Sequence, residues 1–423
     1  MPKLPRPVPA GPVTYSPWRP AAAVHIVVSA ALAGIIIGTV WSTFWERGKL
    51  AGEEYHLWRW QTETLLDTVF SRIGIGPSPE GEEAALAIRA YFGLTTQIRD
   101  LSEAAAPDLA LIQTLTNERA IYENDVERYV EGLVDDALVS VGLKRALPLF
   151  SGVRLTWPPV DFELTTPPRL LIRSPRDLVR RDGDTLLKPG LEIDDIERIE
   201  RETSDGDTVS LVVGIGGLAA YPAIVTADRS YGSLLDTASH EWVHHYLAFY
   251  PLGAQWGNGG DAETLNETPA SIAGRELAGL IQMRRPLTFD EGGDGRRSAG
   301  QPVTVDFNKE MRETRLEVDR LLGAGQVVEA EAYMEERRQF LERNGIVIRK
   351  LNQAYFAFYG TYADGPASSN PVGPKIERVW ELTKDVGRFL KVMRDVTNVR
   401  DLDESLALLE AAAGGTGGVP TSP

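Results

Sequence analysis

Apolar residues recur with a helical period over most of this 423-residue chain. Helices are predicted over 53–70, 80–98 and 107–141, the last with Leu111, Leu115, Tyr122, Val126, Leu133, Ala137 and Val141 at helical spacing. Gly74 to Pro79, rich in breakers, ends the first of these. Around Ser151 the pattern changes, and 153–157, 160–165 and 169–173 are short β-prone runs set off by proline pairs. A surface helix over 191–203, a strand over 209–213 and a second apolar run over 219–226 follow. Helical spacing returns at 233–250. Pro269 is tolerated in a first helical turn, so the next helix is expected to start near Asn266. Residues 284–302, rich in Gly and Arg, read as mobile. Helices over 306–322 and 327–343, joined by Gly323-Ala-Gly325, form an antiparallel hairpin with solvated outer faces. The remaining helices are expected over 346–362, 375–396 and 402–413. The fold class is therefore α+β, mostly helical, with a small mixed sheet.

One stretch has no period because nearly all of it is apolar. Residues 21–45 hold one strongly polar member, His25, and are as long as a bilayer-spanning helix, about 20 residues or more. Tyr15 and Trp18 on one side, and Trp41 and Trp45 on the other, suit the two interfaces. A lipid bilayer, crossed once, is the partner this predicts. Lys3, Arg6 and Arg19 precede the span while Arg47, Lys49 and Arg59 follow it, so basic residues do not set its direction. The expected placement is single-pass in the cell membrane, with the large downstream domain outside the cytoplasm. The first 20 residues, rich in proline, read as a disordered tail.

Charge narrows the partners. A net charge of −16 argues against nucleic acid, since phosphate binding needs a basic surface. The absence of cysteine removes disulfides, thiolate metal ligands and a thiol nucleophile. Gly214-x-Gly216-x-x-Ala219 superficially fits a dinucleotide fingerprint. That fingerprint must open a helix, whereas Tyr221-Pro222 and a β-branched run follow here, so nucleotide binding is rejected.

Three of the five histidines fall in His240-Glu241-Trp242-Val243-His244-His245. On a helix, His240 and His244 lie one turn apart on one face, as two imidazole ligands of one zinc require. Glu241 is placed to take a proton from a metal-activated water. His245 points about 100° away from His244 and reads as a surface or supporting residue rather than a ligand. Glu267, on the following helix with Ala270 and Ala273 nearby, is the best third ligand. Tyr362, with Tyr359 and Tyr355 behind it, is the candidate oxyanion donor. The run at 219–226 could present an edge strand to which a peptide adds.

His240–His244 together with Leu265-Asn-Glu-Thr-Pro-Ala-Ser271 resembles the gluzincin metallopeptidases, in which H-E-x-x-H is followed by a glutamate ligand on a later helix. The resemblance implies Zn2+ on His240, His244 and Glu267, with Glu241 as general base. More narrowly, residues 209–362 look like a bacterial, typically membrane-attached family described as aminopeptidases. In that family a charged helical hairpin and an N-N-A-x6-T-Y-like helix follow, similar here to Asn352-Gln-Ala354 through Thr361-Tyr362. Pro269 and Gln353 depart from the family pattern, and the G-x-M-E-N exopeptidase motif is absent. Aminopeptidase and endopeptidase therefore both stay open for a peptide or protein substrate. The competing readings are a catalytically silent, membrane-tethered zinc-binding scaffold and an interaction protein, an anchor or sensor domain facing the cytoplasm with the hairpin as its interaction arm. The division expected is a tail (1–20), a transmembrane helix (21–45), a helical membrane-proximal region (46–150), a zincin-like domain (151–413) with a hairpin insertion (306–343), and a tail (414–423).

Overall fold

The computed structural model describes parts of 50–64, residues 81–147 except 105, residues 150–286 and residues 305–414. The expected span at 21–45, both tails beyond residue 414 and before residue 21, and most of the Gly/Arg-rich stretch lie outside the described residues. Among the described residues no helix is long and apolar enough to cross a membrane.

The fold is mostly helical with small sheets. The first helices described along their whole length are α1 (Gly81–Ser102), α2 (Leu109–Ala120) and α3 (Glu123–Ser140). The single helix expected over 107–141 is two. Leu109, Leu111 and Ile121 are exposed, whereas α3 buries Val126, Val130, Val134, Ala137 and Leu138. The break at 121–122 lets α3 take its own direction into the core.

The strands β1 (Lys144–Leu147) and β2 (Phe150–Thr156) pair with each other. β3 (Phe162–Thr165), β8 (Ala223–Thr226) and β7 (Gly217–Leu218) form a second sheet in that order, β3 parallel and β7 antiparallel to β8. β4 (Arg169–Pro175) lies between β5 (Asp184–Leu187) and β6 (Thr208–Gly214), antiparallel to both. The β-rich region is thus split into three small sheets instead of one. The edge expected at 219–226 is also corrected: β8 is a central strand, and β7 supplies the edge. The helix α4 (Ile193–Thr203) covers β6. Its buried Glu200 accepts from Val212 N at 2.7 Å and pairs with Lys350 at 3.1 Å.

The metal-motif helix is α5 (Tyr231–Leu247), followed by α6 (Asp261–Arg284). Pro269 is interior to α6 rather than in its first turn. Residues 264–270 are all buried, and burying Leu265 and Ala270 offsets the roughly 3 kcal/mol that an interior proline costs. The hairpin of α7 (Phe307–Gly323) and α8 (Val327–Arg343) follows, its Glu331 paired with Arg176 at 2.6 Å. The helix expected over 346–362 shrinks to α9 (Gln353–Tyr359). Upstream residues leave the helix to reach the sheet: Lys350 and Asn352 both donate to Ser210 O, and Asn352 Oδ1 caps Tyr355 N. The helix expected over 375–396 divides into α10 (Val372–Thr383) and α11 (Val386–Met393), with Lys384 left-handed between them at φ 47°. α12 (Val399–Gly414) ends the described chain.

One apolar core positions the site. Val130 and Val134 of α3, Phe162 and Val225 of the mixed sheet, Trp242 and Val243 of α5, Ala273 and Leu277 of α6, and Phe389 and Met393 of α11 belong to it.

Candidate metal centre

Ser230 caps α5, its Oγ accepting from Ser233 N. The helix buries Leu234, Leu235, Ala238, Trp242 and Val243, and Trp242 Nε1 donates to Pro158 O at 2.9 Å. α6 returns antiparallel along a second face. A Cβ on Gly232 of α5 would stand 2.6 Å from Gln282 Nε2, and one on Gly274 of α6 would stand 3.0 Å from Asp236 O and 3.1 Å from His240 Cβ. Glycine at these positions eases the close approach, most of all at Gly274, where the neighbours are backbone and the root of a metal-site histidine. That register sets Glu267 opposite His240 and His244.

His240 Nε2 and His244 Nε2 are 3.1 Å apart, and Glu267 Oε2 lies 3.4 Å and 3.5 Å from them. Tetrahedral zinc, with bonds of about 2.0–2.1 Å, separates its ligand atoms by about 3.3–3.4 Å. The triangle therefore matches one face of such a tetrahedron. Glu267 Oε2 is buried and accepts no hydrogen bond, an acceptor left over for a cation. These three residues can hold a metal ion.

The electrostatics agree with that chemistry. Burial pushes the Glu267 carboxyl up, but the two imidazoles outweigh it and hold it well below the usual carboxylate range. Burial lowers His240, yet Glu267, Glu241 and Asp236 together raise it to about 9. The carboxylates around His240 thus favour a positive charge at this point. Glu241 is buried, and burial raises its carboxyl against the pull of His240, His244 and Arg229. Its carboxylate lies against the edge strand: a Cβ on Gly217 would come within 2.9 Å of Glu241 Cδ and of Thr237 Cγ2.

Tyr362 lies in the turn just after α9, half-buried, with its ring 6.3 Å from that of His240. Burial, then the charges of Glu267 and Glu241, push its hydroxyl well above its ordinary value. It therefore stays a donor across the physiological range. Thr268, fully buried, fixes that turn by accepting from Ala363 N at 3.1 Å and donating to Thr361 O at 3.4 Å. Tyr355 and Tyr359 lie ring to ring at 4.5 Å, tilted by 41°, and pack half-buried against the sheet and hairpin cores.

His245 is buried rather than exposed. Its Nε2 bonds Ala220 O, its ring packs 5.2 Å from Tyr221, and burial lowers its pKa to about 4. It ties α5 to the turn between β7 and β8 as a neutral imidazole. Four further residues carry no motif in the sequence. Trp256 stands edge-on to His244 at 5.0 Å. Glu263, one turn before Glu267 on α6, is half-buried and raised by desolvation. Arg181, nearly buried, faces both glutamates and is neutralised by Asp184 at 2.9 Å. Arg229 reaches towards Glu241 from the residue before the α5 cap. The i, i+4 spacing of Glu263 and Glu267 was the one available signal among these.

Searches against protein families, curated proteins and solved structures find no match to this chain.

Proposed function

We propose that this protein is a zinc-dependent peptidase of the gluzincin type, tethered to the membrane by residues 21–45 with its zincin-like domain outside the cytoplasm. The observation that carries this reading is the ligand triangle of His240, His244 and Glu267 with the raised carboxyl of Glu241 beside it. Three protein ligands leave a fourth position open, which is the mark of a catalytic rather than a structural zinc.

Zinc bound there supplies Lewis-acid polarisation and makes water acidic enough to be activated near neutral pH. Glu241 takes the proton of the attacking water and delivers it to the leaving amine, and its elevated pKa suits both directions of transfer. Tyr362 donates its hydroxyl to the oxygen that gains charge. Thr268 keeps that tyrosine beside Glu267. Arg181, already paired with Asp184, stays in its structural role.

Two variants separate binding from chemistry. The purified protein is expected to hold about one zinc per chain, and His244→Ala to lose it. Glu241→Gln keeps its size and hydrogen bonding, so zinc should remain while peptide hydrolysis falls by ~100-fold or more. Equal zinc in wild type and His244→Ala would overturn the metal assignment. Near-normal turnover by Glu241→Gln would overturn the mechanism.

A further inference from the structure

The arginines around the site are not equivalent. Arg181 is neutralised by Asp184, and Arg119 pairs with Asp228 at 2.8 Å. Arg229 makes no ion pair or hydrogen bond among the described residues, although its Nε is buried. A buried unpartnered Nε is shared by Arg119 and Arg394. Arg229 differs in having, among the described residues, no carboxylate partner for the rest of its guanidinium, whereas Arg119 has Asp228 and Arg394 has Asp395. A guanidinium without a counter-charge can receive one from outside.

Its position says what that group meets. A Cβ on Gly216 would stand 2.9 Å from Arg229 Cζ, just as one on Gly217 would stand 2.9 Å from Glu241 Cδ. The free guanidinium and the proposed base thus lie against consecutive residues of one edge segment, whose Cα atoms are about 3.8 Å apart. Arg229 acts electrostatically on both Glu241 and Asp236 without pairing to either. Arg99 lines a small recess with Arg229, adding a second positive group on that side. Elsewhere the centre carries Glu241, Glu263, Glu267 and Asp236, and the nearby arginines already have partners, Arg181 in Asp184 and Arg275 in Asp364. A peptide laid along Gly216–Gly217, with its scissile bond at the metal, would carry a group a residue or so away onto Arg229.

We propose that Arg229 is a specificity-determining residue that receives a carboxylate of the substrate. The planar fork of a guanidinium matches a carboxylate in two parallel hydrogen bonds. That carboxylate comes either from an acidic side chain beside the scissile bond or from the C-terminus of a short peptide. The inference rests on the peptidase reading of the same site.

The test uses the metal-loaded full chain as wild type, Arg229→Met and Arg229→Lys, each checked for equal metal content. The probes are fluorogenic peptides in two matched sets: Glu against Gln beside the scissile bond, and a free C-terminal acid against its amide. In one set the carboxylate member should be favoured in kcat/KM by roughly 10-fold or more. The ratio should collapse to about 2-fold or less in Arg229→Met and recover in part in Arg229→Lys. The set that responds identifies the source of the carboxylate. Peptide affinity for Glu241→Gln, with and without Arg229→Met, reads the same ratio without turnover. Absence of any preference in wild type, or its survival in Arg229→Met, overturns the assignment. Should no peptide be hydrolysed while Arg229-dependent carboxylate binding persists, the peptidase reading falls and Arg229 keeps its role.

Discussion

His240 and Glu267 make the centre sensitive to pH in a direction that metal should erase. In the metal-free protein, His240 binds its proton more tightly than an ordinary imidazole, at about 9 against 6.5. The stability this contributes is complete below about 6.5 and lost as pH rises through 9, a span worth about 3 kcal/mol. Glu267 is shifted the other way, so its contribution is present above the ordinary carboxylate value and lost as pH falls below it. Thermal unfolding of the chelator-treated protein should therefore show Tm declining between pH 6.5 and 9. The zinc-loaded protein should lack that decline, because the cation replaces the proton. Parallel curves would mean that the three side chains do not share one ion. At this scale the sequence was informative where chemistry fixes spacing, as for the juxtaposed His240 and His244. It was silent on Arg181, Arg229 and Trp256, which reach the site from loops and from the edge of a helix.

Element ends follow local rules that tertiary contacts override in identifiable places. The spacing of apolar positions located α1, α4, α7 and α8 to within a few residues, since each has one buried face and an open opposite face. It failed where the chain had something better to do than continue a helix. Residues 348–352 give up helical hydrogen bonds to anchor on Ser210 and Glu200. Pro269, read as a helix start, is carried inside α6 by burial on all sides. Between α10 and α11 the exposed Lys384 adopts a left-handed conformation that favours glycine. Lys384→Gly should thus raise stability by about 1 kcal/mol, seen as a higher Tm with unchanged metal content. A lower Tm would show that the lysine side chain makes a contact that matters more than its backbone strain.

Across the whole molecule the ligand-bearing helices are held from both sides. α3 supports them from the N-terminal half and α11 from the C-terminal half, through one continuous core. Phe389 of α11 is fully buried and packs edge-on to Trp380 at 5.6 Å. Phe389→Ala should destabilise the protein by about 3–5 kcal/mol, read by denaturant or thermal unfolding, yet leave zinc stoichiometry intact in the folded fraction. A change of stability under 1 kcal/mol would mean that the C-terminal helices are an accessory to the core rather than part of it. This long-range packing was not legible in the sequence, because helical periodicity marks which face is buried but not what covers it. The glycine pair at 216–217 has a wider consequence. With Glu241 and Arg229 occupying the space where side chains would otherwise project, that rim is bare main chain. A main-chain rim reads only the amides and carbonyls common to all peptides. In the peptidase proposed above, such a surface would be a ruler without graduations, aligning many sequences equally and leaving discrimination to what stands at its ends.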